Sequence, residues 1–348
     1  MLAPPYVDEL CTAGLRAGLT RVGVASAEPF DDVRAVLEER KAAELHGGMQ
    51  FTYRNPARST DPSRAMPGAR SIVVGALAYP ARLQPRPRPV RRPVARVARY
   101  ATDDHYARLR VGLGAIADRL RADGWQARVL ADDNALVDRA VAHRAGLGWY
   151  GKSANLLLPG VGSLVVLGGV LTDAELPHPA EPIADGCGSC RRCLDHCPTG
   201  AIVAPGVVDA RRCLAWLVQA EGDIPEELRD ALGDRIYGCD DCQEVCPPNR
   251  RALLAGEGVP GGEVVDLIEL LSLDDDELMR RHGRWYVPRR DPRYLRRNAL
   301  VALGNTGDPG EPAVVEAIAR YAHGDDPMLC RHATWAARRL GLAVEARA

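Results

Sequence analysis

Apolar residues recur every three or four positions over 6–19 and again over 31–44, and that period predicts two amphipathic helices. Residues 71–79, SIVVGALAY, are apolar almost without a break, the mark of a strand buried on both faces. The helical period returns over 106–122 and stops before Gly124. Residues 125–130 then read as a strand, and a helix over 135–145 is halted by Gly146. A second buried strand is expected at 163–172. These elements predict one mixed α/β domain over 1–178, with the strand order left open by the pattern.

A weak repeat marks the end of the chain. Asp291-Pro292, with Leu295, Arg296, Leu300 and Gly304, recurs as Asp326-Pro327 with Cys330, Arg331, Trp335 and, less well aligned, Gly341. Such a period fits helix pairs stacked like HEAT units. Cys330 takes the place of Leu295 and is therefore expected in the core; Cys11, also isolated, is expected to be a buried thiol. Arg289, Arg290, Arg293, Arg296 and Arg297 either line the concave face of this stack or form a solvated helix face.

The cysteines change the picture most. Of ten, eight fall within 187–246, as Cys187-x2-Cys190-x2-Cys193-x3-Cys197-Pro198, then Cys213, then Cys239-x2-Cys242-x3-Cys246-Pro247. The first run has the bacterial ferredoxin spacing, in which three thiolates close on one [4Fe–4S] cluster and the fourth reaches its neighbour. Crossed ligation assigns Cys187, Cys190, Cys193 and Cys246 to one cluster. Cys197, Cys213, Cys239 and Cys242 then hold the other. Structural zinc sites pair two C-x2-C units across a dozen or more residues, which does not account for three cysteines at two-residue gaps. Disulfides need an oxidising compartment, and the start MLAPPYVDELCTAGL has neither the basic head nor the apolar run of an export signal. A cytoplasmic protein is expected. The longest apolar stretch, 164–171, is too short to cross a bilayer. The expected class is thus α+β and multi-domain: the mixed α/β domain (1–178), a ferredoxin-like double-cluster module (179–255) and HEAT-like helical repeats (256–348).

A formal net charge of −1 argues against a uniformly basic nucleic-acid binder, but the charge is unevenly placed. Between Arg82 and Arg99 stand seven arginines and no acid, interleaved with prolines. Proline excludes a helix here and leaves a basic extended loop. It either lies along phosphates, with Arg86, Arg88, Arg91 and Arg92 as candidate contacts, or is a solvated linker.

Two motifs in the first domain carry possible chemistry. Residues 146–153, GLGWYGKS, satisfy the phosphate-loop pattern, yet the predicted helix precedes the motif instead of following it, so nucleotide hydrolysis is not expected. Lys152 is nonetheless one of only two lysines, which points to a site needing a compact charge. Asp132-Asp133-Asn134 stands before the helix predicted at 135–145. The residues favour an N-cap; the other reading is a general acid, kept protonated by desolvation.

Several segments together resemble the epoxyqueuosine reductases, cobalamin-dependent iron–sulfur enzymes of tRNA queuosine biosynthesis. They include NPARSTDPSRAMPGARSI (55–72), ARYATDDHYA (98–107), ADDNALVDRAVAHRAGLGWYGKS (131–153), RIYGCDDCQEVCPP (235–248) and the closing RNALVALGN. The resemblance implies two-electron, two-proton reduction of epoxyqueuosine to queuosine at the tRNA wobble position. Electrons would pass through both clusters to a cobalamin held between the α/β domain and the cluster module. By position it implies Asp132 as proton donor and Arg58, Tyr106, Asp132, Gly151, Lys152 and Ser153 around the cobalamin. It further implies tRNA held with help from the helical repeats, where the basic cluster offers Arg293, Arg296 and Arg297 as candidate contacts; an external low-potential donor such as a flavodoxin or ferredoxin, and a monomer, are expected with it. The chain departs from the family at Asp133-Asn134-Ala135, at Ser153, and at His105-Tyr106-Ala107, all expected in the pocket. Two alternatives remain: a paralogous cobalamin and iron–sulfur reductase acting on another substrate, small molecules included, and a non-enzymatic electron carrier.

Overall fold

Along the apolar run at 71–79 the side chains divide by parity, as the two-residue period of a strand requires. Ile72, Val74 and Ala76 enter one core and Val73 and Leu77 the other. The structure, a computed structural model, describes residues 4–79, 92–178, 183–255 and 264–343. In chain order its strands are β1 (Arg21–Ser26), β2 (Ser71–Ala78), β3 (Val94–Val97), β4 (Ala127–Ala131), β5 (Trp149–Tyr150) and β6 (Leu156–Leu157). There follow β7 (Val165–Thr172), β8 (Ile202–Ala204), β9 (Val207–Val208), β10 (Arg235–Tyr237) and β11 (Val264–Asp266).

The main sheet has the order β1-β2-β7-β4, every neighbouring pair antiparallel. Helices Pro4–Arg16 and His105–Ala122 supply the core on one face through Leu10, Leu109, Leu113 and Ile116. The segments around Phe30 and the helix Asp138–Arg144 supply the other, through Phe30, Ala140 and Val141. Gly75 and Gly168, on the adjacent β2 and β7, let the first face pack closely, since a Cβ on either would meet Leu113 at 2.9 Å. The helix expected from 135 begins only at Asp138, with Val137 as its N-cap. Asp132-Asp133-Asn134 is therefore not a helix cap: Asp133 Oδ1 instead accepts the Ala135 N–H at 2.9 Å, closing a turn at the end of β4.

The second half has one core, not two. Leu214, Leu217 and Ile236 pack with Leu267, Leu295, Leu300 and Trp335, so apolar contact runs across the boundary expected at 255. The basic segment enters it as well. β3 pairs parallel with β10 and antiparallel with β11, so residues 94–97 are a strand and not part of an extended loop. Arg86, Arg88 and Arg91 lie outside the described residues.

Three helices, Arg293–Thr306, Pro312–Ala322 and Pro327–Leu340, close the fold. Both Asp-Pro pairs begin a helix, Asp326 by accepting the Leu329 N–H at 2.9 Å. The helix Arg293–Thr306 is buried from Tyr294 through Gly304. Its arginines consequently turn to protein partners. Arg297, fully buried, donates to the carbonyls of Leu217, Ala220 and Gly222. Arg296, 8 % exposed, bonds to Asp275 and to the Leu273 carbonyl. Neither is open to a nucleic acid, which corrects the expectation drawn from their charge. Cys330 is corrected in the other direction. It is half-buried, with its thiol donating to the Gly324 carbonyl at 3.1 Å, because it faces the preceding turn and not the helix stack.

Candidate active site between a carboxylate loop and two cysteine loops

The short spacings fold each cysteine run into tight turns, Cys190 N–H to Cys187 O and Gly200 N–H to Cys197 O among them. All eight thiols are free and half-buried. Burial pushes Cys239 up to about 12 and Cys246 up to about 11, and raises Cys193, Cys213 and Cys242. Neighbouring thiols add to the shift in a telling pattern. Cys246 feels Cys187, Cys193 and Cys190. Cys242 feels Cys239 and Cys213 most and Cys193 of the first run less, and Cys213 feels Cys197. Protonated thiols crowded in this way suit a polynuclear cation, because thiolate ligation exchanges their protons for metal charge. The donor set fits iron–sulfur clusters.

Acidic residues between the second set of cysteines are neutralised by arginines from elsewhere. Arg99 pairs with Asp240 at 2.9 Å and Glu244 at 2.8 Å, while Arg235 holds Asp241. The basic segment thus ends in a structural ion network beside the cysteines. Asn249, fully buried, locks this module to the α/β domain: its Oδ1 accepts the Ser163 N–H at 2.7 Å and its Nδ2 donates to Ser163 Oγ at 2.9 Å.

Asp132 lies just past β4 with φ +56°, a left-handed conformation that Asp tolerates better than most residues. Ser59 Oγ donates to the Asn134 carbonyl at 2.6 Å, fastening the short helix Pro56–Ser59, and with it exposed Arg58, to this loop. Asp132 is exposed, yet enough protein surrounds its carboxyl for desolvation to raise it. Arg110 opposes that shift and the charges of Asp133 and Asp104 reinforce it. Arg110 is itself anchored to the Ala131 carbonyl. Tyr106, half-buried in the first turn of its helix, is raised by burial and then by Asp132 and Asp138.

Sequence reasoning did not single out Asp138. Its Oδ1 is buried with no hydrogen-bond partner, and burial followed by the charge of Asp132 raises it well above the ordinary carboxylate range. Tyr237, also raised by burial and by Asp132, is a second residue missed. Only its place in the IYGC segment gave a signal, whereas Asp138 gave none beyond opening a helix.

Residues 146–153 form no phosphate loop. β5 and β6 make a hairpin, and Lys152 in its turn donates to the carbonyls of Gly188 at 2.6 Å and Cys190 at 3.0 Å. Arg139 ties the same turn to the Asp138 helix through the Ala154 carbonyl at 3.0 Å. Of the three departures, those at 133–135 and 153 lie on these loops. His105 does not face the pocket: it is buried, stacked on Tyr79 at 5.1 Å, with Nε2 3.3 Å from the Arg99 carbonyl. Trp149 Nε1, like Asp138 Oδ1, is buried without a partner. A ligand rim that presents both acceptors and donors, as the amide side chains of a corrin ring do, would satisfy the two.

Outside the site, Arg92 is exposed and 3.6 Å from Asp266, and Arg293 is engaged by Asp291 and Asp326. Among the described residues no helix is long and apolar enough to cross a membrane.

Residues 59–133 match the family described as epoxyqueuosine reductase QueG, DUF1730, and residues 186–249 match the 4Fe–4S double cluster binding domain. The epoxyqueuosine reductase of Bacillus cereus is 35% identical over 333 residues, covering 93% of this chain and 86% of the relative. That of Escherichia coli is 32% identical over 342 residues, covering 93% and 86%. A crystal structure of epoxyqueuosine reductase with a tRNA-Tyr epoxyqueuosine-modified tRNA stem loop superposes with a TM-score of 0.87 at 32% identity, covering 97% of this chain and 90% of that one.

Proposed function

This chain belongs to the epoxyqueuosine reductase family, and from that premise we propose that it reduces epoxyqueuosine in tRNA to queuosine. The observation that carries the reading is the chain of contacts from the Asp132 loop to the cysteines: Asp132 acts electrostatically on Asp138, the next residue Arg139 holds the Ala154 carbonyl, and Lys152 of the same turn is bonded to the first cysteine loop. In the overall change two C–O bonds of the epoxide break, a C=C bond forms, and the oxygen leaves as water after taking two electrons and two protons.

Cys187, Cys190, Cys193 and Cys246 are assigned to one [4Fe–4S] cluster and Cys197, Cys213, Cys239 and Cys242 to the other, an assignment that rests on the ferredoxin spacing and is supported by the nearness of Cys246 to the first run. A cobalamin is assigned to Arg58, Tyr106, Asp132, Gly151, Lys152 and Ser153, with Asp138 Oδ1 and Trp149 Nε1 for its amide rim. Bound there, these groups supply two electrons at low potential to a carbon centre. Asp132 supplies what they cannot. An epoxide oxygen leaves poorly as an anion, and burial shifts the Asp132 carboxyl toward the protonated form that donates to it. Asp133 maintains the acid form by repulsion, and Tyr106 fills the wall beside it.

The base is unpaired in the anticodon and enters a pocket at modest unstacking cost. Phosphate contact is assigned to Arg86, Arg88, Arg91 and Arg92, with affinity that falls as salt rises. Electrons come from an external low-potential carrier such as a flavodoxin or ferredoxin.

The test is conversion of an epoxyqueuosine-bearing tRNA stem loop under anaerobic reduction, with and without added cobalamin, followed by mass spectrometry of the nucleoside. Loss of one oxygen only when cobalamin is present is the expected result. No conversion, in protein that carries both iron and cobalt, would place the substrate elsewhere.

A further inference from the structure

The hairpin turn that resembles a phosphate loop touches both cysteine loops. Lys152 Nζ donates to the carbonyls of Gly188 (2.6 Å) and Cys190 (3.0 Å), inside the first run. Three residues on, Asn155 Nδ2 donates to Cys242 Sγ at 3.8 Å, in the second. The turn is rigid enough to hold both at once. Gly151 donates to the Asn155 carbonyl (2.8 Å), Gly206 donates to the Lys152 carbonyl (3.0 Å), and Arg139 clamps Ala154, which sits at φ +62°. Trp149 reinforces the contact, for a Cβ on Gly186 would meet its ring at 2.7 Å.

We propose that this turn sets the reduction potentials of the two clusters separately, Lys152 acting on the Cys187-Cys190-Cys193-Cys246 cluster and Asn155 on the Cys197-Cys213-Cys239-Cys242 cluster. The inference rests on the cluster assignment above. Each cube takes one electron from a low-potential one-electron donor, with no bond made or broken, and so gains one negative charge. An ammonium fixed beside one cube and an N–H aimed at a sulfur of the other favour the reduced form. Lys152 spends two of its three donors on backbone carbonyls, which fixes its charge against the loop instead of leaving it to solvent. These are positioning residues: neither touches the substrate in this role.

The experiment is an anaerobic dithionite titration followed by electron paramagnetic resonance, on wild type, Lys152→Gln, Lys152→Arg and Asn155→Ala. Cys242→Ser identifies which signal belongs to which cluster. Lys152→Gln should make the first cluster harder to reduce by about tenfold in occupancy at fixed potential, about 59 mV for one electron, and leave the second in place. Asn155→Ala should shift only the second, by roughly threefold, as befits a neutral and longer bond. Equal shifts of both clusters, or none, overturn the proposal. If Lys152→Gln loses iron, Lys152→Arg decides: wild-type iron and potential support a role for the charge, while loss of iron there too reduces the turn to a mechanical tie. Wild-type protein without two reducible clusters would instead overturn the cluster assignment itself.

Discussion

Eight cysteines come together largely through short spacings within each run, whereas Asp132, Tyr106, Asp138 and Arg139 come together because a strand end, two helix starts and a hairpin turn are packed against one another. The two regions share a physical device, burial of ionisable groups, and use it in opposite senses. Raised thiols give up their protons once metal charge compensates them. A raised carboxyl keeps its proton until the leaving oxygen needs it. One region carries electrons and the other a proton, and the Lys152 turn is where they touch.

The sharpest break in the comparison is loss of one cluster. Cys242→Ser removes a ligand from one cube, so iron in anaerobically purified protein should fall by about half and turnover should vanish. Unchanged iron would mean that the thiols are grouped differently. A second variant asks whether the cysteine loops depend on local spacing alone. Arg297 holds three carbonyls of the segment that follows Cys213, and burial pushes its guanidinium down to about 10. Arg297→Met removes a donor from each of those carbonyls and should cost about 3 kcal/mol of stability in anaerobic denaturant unfolding, with weaker iron retention. Stability equal to wild type would show that local spacing suffices.

The smallest effect concerns the acid. Asp133 raises Asp132 by repulsion, so Asp133→Asn lowers the Asp132 carboxyl toward its ordinary value. The protonated form is then lost at lower pH, and the alkaline fall of the pH–rate profile should move to lower pH. Rates below that fall should barely change, and rates above it should drop by roughly severalfold. An unmoved profile would remove Asp133 from the mechanism.

The same contrast explains what was legible in the chain. Cysteine spacing is a local code, and so were the buried strands at 71–79 and 163–172, where apolar runs have few other uses. β1 was missed because RVGVAS is short and half polar, and it is a strand through its pairing with β2. Charge misled where burial decided. Arg296 and Arg297 read as surface on sequence, yet their helix is enclosed on every side and their guanidinium groups cap carbonyls or meet an acid. For Lys152 the structure adds backbone partners 36 and 38 residues away, which no local pattern shows. The cap reading of 132–134 failed for a similar reason: nothing local shows that three turn residues precede the helix at Asp138. Asp138 itself becomes notable only when its partnerless oxygen is seen beside Asp132.

The separation of electron delivery from proton delivery is tested most directly by Asp132→Asn, assayed anaerobically for iron, cobalt, cluster reduction and tRNA product in one preparation. Wild-type iron and cobalt, reducible clusters and product formation slowed by about a hundredfold or more is the predicted result. Product at the wild-type rate, or loss of iron along with activity, would contradict it.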